Sequence, residues 1–135
     1  MQQTSKSDVI DELALLFEKY DSIYEKEDIL FIVDQRESIH STFVGHGVAI
    51  PHGRSSIVDR SVIALGILDN TIEWSEGSQL TKIVVLLISP YGDAVNHIKV
   101  LAKICRLFAG DELINQIINA SSPNEVFAII ENSEN

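Results

Sequence analysis

RESIHSTFVGHGVAIPHGR, residues Arg36 to Arg54, is the stretch around which the rest of the chain is organised. Inside it, Val48-Ala49-Ile50 is a short apolar run bracketed by Gly47 and by Pro51-His52-Gly53. A compact, partly β-branched run between turn residues reads as a buried strand. Pro51 has no N–H to give a sheet ladder, so the strand is expected to stop there. His52 then stands just past a strand end, beside a glycine that lets the backbone turn or a partner approach. The rim of a sheet is where an α/β protein keeps its chemistry.

Upstream of this stretch, Ser7 is placed to cap a helix beginning at Asp8. Val9, Ile10, Leu13, Leu16 and Phe17 recur at helical spacing, and Asp21-Ser22 breaks the pattern. A second helix is predicted from about Glu25 to Glu37, with Ile29, Leu30, Ile32 and Val33 buried. It sets Arg36 at a helix end, aimed into a loop or short extended segment from Ser38 to Gly47. Downstream, His52 to Arg60 is polar and reads as a loop. Ser61 to Leu68 reads as a strand, Asp69-Asn70 as a turn, Thr71 to Trp74 as a short strand and Glu76-Gly77-Ser78 as another turn.

Leu80 to Ser89 is the strongest strand in the chain. Its apolar run, Ile83 to Ile88, predicts a place in mid-sheet with cover on both faces. A helix follows from about Asp93 to Phe108, with Val95, Ile98, Leu101, Ala102, Cys105 and Phe108 as its core face. Glu112 to Asn119 is a short helix, and Ser122-Pro123 starts the last one. Strands alternate with helices, and helices stand at both ends of the chain. That pattern predicts an α/β domain with a central sheet and helices on both faces.

The length of 135 residues suits a single domain, 1–135, with a real core. A 45% hydrophobic and 22% charged composition is that of a globular protein. No apolar run approaches the ~20 residues of a membrane helix, and MQQTSKSDVIDE is no signal peptide. A cytoplasmic protein is expected, and one cysteine, Cys105, cannot form an internal disulfide. The net charge of −10 argues against nucleic acid and against an anionic membrane surface. An acidic protein that handles phosphate needs local cations, and Arg36, Arg54 and Arg60 flank the central stretch.

A neutral imidazole is a good nucleophile near neutral pH and can hold a phosphoryl group on a ring nitrogen. His52 is the first candidate, against the plainer alternative of a structural histidine at a strand end. His97 is the second. If the strand before it neighbours the His52 strand, the two imidazoles meet at one sheet edge, where His97 can donate to a phosphoryl oxygen or support the tautomer that activates His52. Arg36 can hold phosphoryl oxygens bidentately, and Gly45 and Gly47 can turn backbone N–H groups toward an anion. His40, His46 and His52 recur every six residues, which fits neither a helix face nor a zinc motif, so no metal is expected. There is no G-x-x-x-x-G-K-[ST], no G-x-G-x-x-G and no Gly-x-Ser-x-Gly elbow. A phosphoryl group must therefore arrive from another protein.

Gly-Val-Ala-Ile-Pro-His-Gly, with Arg36-Glu37 and Ser41-Thr42 upstream, closely resembles the active-site signature of the enzyme IIA components of the bacterial sugar phosphotransferase system, fructose/mannitol type. The resemblance runs over nearly the whole chain, through the apolar strand ending in Pro90 to His97 and its Leu/Ala-rich helix. It implies a five-stranded mixed sheet between helices. It also implies that His52 accepts a phosphoryl group from the histidine phosphocarrier protein and passes it to a cysteine of an enzyme IIB, beside a membrane enzyme IIC. His97 matches the supporting histidine, Arg36 the arginine ahead of the Ser-Thr loop, and Thr42 the loop threonine. No cofactor is implied. Ile39, Phe43 and Val44 are expected to form an apolar rim around an exposed, shallow site.

Four features depart from the family pattern. Phe43 replaces a small residue and Glu76-Gly77 replaces Asp-Gly. Ile72-Glu73-Trp74 is similar to enzyme IIA modules appended to sugar-responsive regulators, and Arg54 also occurs in ascorbate-type relatives. A regulatory module phosphorylated on His52 is therefore the second reading. A chain beginning at Met1 with a helical N-terminus is expected to be freestanding.

Overall fold

A strand that is apolar on both faces needs two layers of cover, and β5 (Leu80–Pro90) has them. The computed structural model describes residues 1–21, 23–56, 58–74 and 80–133. Ser22 and the expected turn at Glu76-Gly77-Ser78 lie outside those residues. Residues Ile83 to Ser89 of β5 are fully buried. On one side β5 pairs with β4 (Val62–Glu73), antiparallel. On the other it pairs, parallel, first with β2 (Val48–Ala49) and then with β3 (His52–Ser55). β1 (Phe43–Gly45) lies antiparallel on β2. The result is the expected five-stranded mixed sheet.

Side chains alternate across the sheet. Val84, Leu86 and Ile88 face α1 (Lys6–Tyr20) and α2 (Lys26–Ile39), which contribute Val9, Leu13, Phe17, Ile29 and Val33 to that layer. Ile83, Val85 and Leu87 face α3 (Ala94–Leu107), α4 (Asp111–Ile118) and α5 (Pro123–Ser133).

Four local expectations are corrected. Ser5, not Ser7, caps α1, accepting from the Asp8 N–H at 3.2 Å. The segment after Pro51 is not a loop: Pro51 interrupts the ladder for want of an N–H, and the chain resumes as β3 on the same neighbour. Asp69-Asn70 is not a turn, because β4 runs through it with a shift of register between Ile67 and Ile72. Val95 and Ile98 are not core: each is 65% exposed, and α3 packs instead through Val100, Leu101, Ile104, Cys105 and Phe108.

Candidate functional site

The β3–β5 register sets the site. His52 stands opposite Leu87, and β5 then runs out through Pro90 into the turn that opens α3. Asp93 caps that helix, its carboxylate accepting from the Asn96 N–H at 3.1 Å. One turn along α3, His97 comes over His52, with ring centroids 5.6 Å apart and planes at 44°. From the other layer the end of α2 brings Arg36 and Ile39. With Arg54, Tyr91 and Ile98 these residues line an open depression of about 550 Å³.

Gly53 makes the approach of α2 possible. It is buried, and a Cβ there would collide with Ile32 Cγ2 and stand 3.4 Å from Ile32 Cβ. The glycine after the histidine is thus the surface on which α2 lies.

His52 is more enclosed than expected, only 9% exposed. Its Nδ1 lies 2.7 Å from the Ile50 carbonyl oxygen. A carbonyl only accepts, so Nδ1 carries the proton and Nε2 is left with the lone pair. Burial pushes the His52 pKa below the ordinary imidazole value. The Ile50 hydrogen bond and the Glu37 carboxylate oppose the shift, and the Arg36 guanidinium adds to it. His97 is lowered too, first by burial and then by His52 and Arg54. His97 Nδ1 is buried without a hydrogen-bond partner among the described residues.

The fold thus holds both rings neutral. As pH falls through about 6.5, the unfolded chain takes up these protons before the folded one does. Stability from this source is therefore complete above that pH and is lost as pH falls toward the folded values. An NMR titration is expected to give midpoints below 6.5 for both rings, and a value at or above 6.5 for His52 would contradict this electrostatic account.

Arg36 Nη1 donates to the His40 carbonyl at 2.7 Å, which fixes the guanidinium at the rim with further N–H groups to offer. Arg54 Nη1 donates to the Tyr91 carbonyl at 3.4 Å, and its guanidinium lies 4.9 Å from the centre of the Tyr91 ring.

The other predicted residues fall elsewhere. Thr42 is buried and gives its hydroxyl to Glu37, whose second carboxylate oxygen binds Lys6 Nζ at 2.8 Å. Its carbonyl accepts from the Ile50 N–H at 2.9 Å, so it anchors the strand leading to His52 from behind. Gly45 and Gly47, with φ of 94° and 74°, shape the β1–β2 turn. Gly47 accepts from the Lys82 and Ile83 N–H groups, at the far end of β5 from His52. Arg60 is not at the site but donates to the Tyr20 hydroxyl at 3.1 Å. His46 faces Asp111 at 3.1 Å. Among the described residues no three His, Cys, Asp or Glu side chains group as a metal would need.

Of the expected rim only Ile39, 80% exposed, lines the depression, whereas Phe43 packs on the core and Val44 is on β1. Tyr91 and Ile98 complete the apolar rim. Both are α3-side residues that the sequence reading did not place there.

Fold and site together define an α/β domain in which one imidazole nitrogen keeps its lone pair beside a second imidazole and two guanidinium groups. The chain belongs to the EIIA 2 family of the phosphoenolpyruvate-dependent sugar phosphotransferase system, whose family model matches residues 1–133. It is 29% identical, over 95% of its length, to the 2-O-alpha-mannosyl-D-glycerate-specific EIIABC component of Escherichia coli, and spans 20% of that protein. It superposes on the nitrogen regulatory protein IIA-Ntr of Neisseria meningitidis with a TM-score of 0.88 and 28% identity, covering 96% of this chain and 89% of that one. Its fold is also that of enzyme IIA mannitol in the complex with phosphorylated enzyme IIB mannitol from Escherichia coli. There the TM-score is 0.80 at 15% identity, covering 98% of this chain and 91% of that one. No described helix is long and apolar enough to cross a membrane.

Proposed function

We propose that this chain relays a phosphoryl group between proteins, with His52 as its temporary carrier. Nε2 of His52 attacks the phosphorus held by the phosphohistidine of the histidine phosphocarrier protein. A new N–P bond forms, the old one breaks, and the donor imidazole keeps the electron pair. A cysteine thiolate of an enzyme IIB then attacks the same phosphorus, and His52 is returned neutral. Such transfer passes through a loose transition state with charge on the equatorial oxygens, so it needs positioning and cations more than covalent help. Arg36 and Arg54 supply the cations, and His97 offers a proton to a phosphoryl oxygen. The relay works in the cytoplasm, beside a membrane enzyme IIC.

The observation that carries this reading is the Ile50 carbonyl on His52 Nδ1. It fixes the tautomer whose Nε2 is nucleophilic. The likeness to IIA-Ntr favours one second reading, in which phosphorylation of His52 is itself the signal and no enzyme IIB takes the group.

The test is intact mass after incubation with phosphoenolpyruvate, enzyme I and the carrier protein, followed by addition of an enzyme IIB from the same source. One acid-labile phosphoryl group that then moves to the enzyme IIB cysteine is expected. A group that is taken up but never passed on would favour the signalling reading, and no uptake at all would exclude both.

A further inference from the structure

β4 is the last strand on its side of the sheet among the described residues, and its outer edge is closed at Ile67 to Asp69. The Met1 ammonium donates to the Ile67 carbonyl at 3.0 Å, and the Asp69 N–H donates to the Met1 carbonyl at 2.8 Å. Ile67 and Asp69 therefore turn their main-chain groups away from β5. By the period of two along a strand, Leu65 and Ile63 do the same.

Among the described residues nothing pairs with that side of Val62 to Gly66. The run Val62-Ile63-Ala64-Leu65 carries no charge and no proline, the usual means of keeping an edge from pairing. Both layers beside it are apolar as well. On one face Leu16 and Tyr20 of α1 border the edge, 46% and 61% exposed. On the other it is Phe127 of α5, 68% exposed. Ile63, between them, is 45% exposed.

We propose that two copies of this chain pair along this edge, antiparallel, with Ile63 opposite Ile63, joining two five-stranded sheets into one. A two-fold axis through Ile63 and perpendicular to the sheet sets each layer against its own copy: α1 against α1, strand against strand, α5 against α5. Apolar surface then meets apolar surface in all three layers. Roughly four to six main-chain hydrogen bonds form.

Under the same operation Asp59 and Arg60 of one copy come up toward the Ile67 to Asp69 end of the other, where the Asp69 carboxylate is exposed and gives the Arg60 guanidinium an acidic partner. β3 lies on the opposite side of β5, so the His52 depression stays open in the pair.

The test is sedimentation equilibrium on the whole chain from micromolar to millimolar concentration, with Ile63→Pro and Ile63→Lys alongside. Proline removes a donor that faces outward and leaves the β4–β5 ladder intact, while lysine keeps the donor and charges the seam. A dimer is expected for the wild type, weakened about tenfold or more in both variants. Amide exchange at Ile63 and Leu65 should slow as concentration rises. Because each copy carries −10, added salt should tighten the pair. Phosphoryl uptake should be unchanged in both variants, which keeps this result separate from the assignment of His52. A wild type still monomeric at millimolar concentration would overturn the proposal and leave the edge to a strand from another protein. A dimer indifferent to both substitutions would overturn it too, by placing the contact on another face. If Ile63→Pro fails to fold, Ile63→Lys decides.

Discussion

Replacing His52 by alanine is expected to leave a folded protein that takes up no phosphoryl group. The nucleophilic nitrogen is gone, and nothing in the depression replaces it. Arg36 and Arg54 are cationic and cannot attack phosphorus. His97 shares the depression, but no carbonyl holds its Nδ1 proton as Ile50 holds that of His52. Uptake should fall by at least ~10⁴-fold, below detection by intact mass. The structural cost is smaller. The carbonyl of buried Ile50 loses its partner, which costs about 1–3 kcal/mol. Thermal unfolding followed by circular dichroism separates the two effects. Uptake surviving in His52→Ala would transfer the carrier role to another residue, and His97→Ala would show whether it is His97.

The second large effect is expected at Gly53. Alanine there drives a Cβ into Ile32 Cγ2, and the neighbouring Ile32 Cβ is part of a stiff, β-branched side chain that cannot swing aside. Overpacking of this kind costs about 1–3 kcal/mol, or roughly 3–10 °C in melting temperature for a domain of this size. α2 must lift from β3, and Arg36 and Ile39 lie one and two turns further along that helix. Phosphoryl uptake should therefore slow about tenfold or more through misplacement alone. Ile32→Ala removes the obstructing methyl, so the double variant should recover uptake relative to Gly53→Ala, a coupling that independent sites do not show. Normal stability and normal uptake in Gly53→Ala would refute the account of why a glycine follows the histidine.

What could be read in the sequence follows from how locally each feature is determined. β5 and the helices α1, α2, α4 and α5 carry their own periodicity and were legible. The pairing of His52 with His97 was legible as well, because it needs only neighbouring strands. β3 was not: His52-Gly53-Arg54-Ser55 has little intrinsic strand preference and is a strand only because Leu87 to Pro90 of β5 pairs with it. The run through Asp69-Asn70 is not legible for a similar reason, since the Met1 carbonyl and the Lys82 ammonium, both distant in sequence, hold Asp69 by its main chain. α3 follows one amphipathic pattern along its length, but residues 94–99 are exposed except for His97, so Val95 and Ile98 are surface. Thr42 is matched to the family's loop threonine by resemblance, and nothing in the sequence says that its hydroxyl goes to Glu37. Its partner Glu37 is one of two adjacent charged residues, and the sequence does not say which of Arg36 and Glu37 turns inward to Lys6.

The division of the core into two layers bears on how the chain is made. Every strand partner of β5 precedes it, so once Pro90 has left the ribosome the whole sheet and its α1–α2 cover can assemble. The opposite face, with Val48, Ile50, Ile83, Val85 and Leu87, has no cover until Ala94 to Ser133 follow. At about 5–20 residues per second that interval lasts some seconds. During it the nascent protein presents a greasy wall with nothing to lean on, and it is then, rather than after release, that a chaperone has most to do.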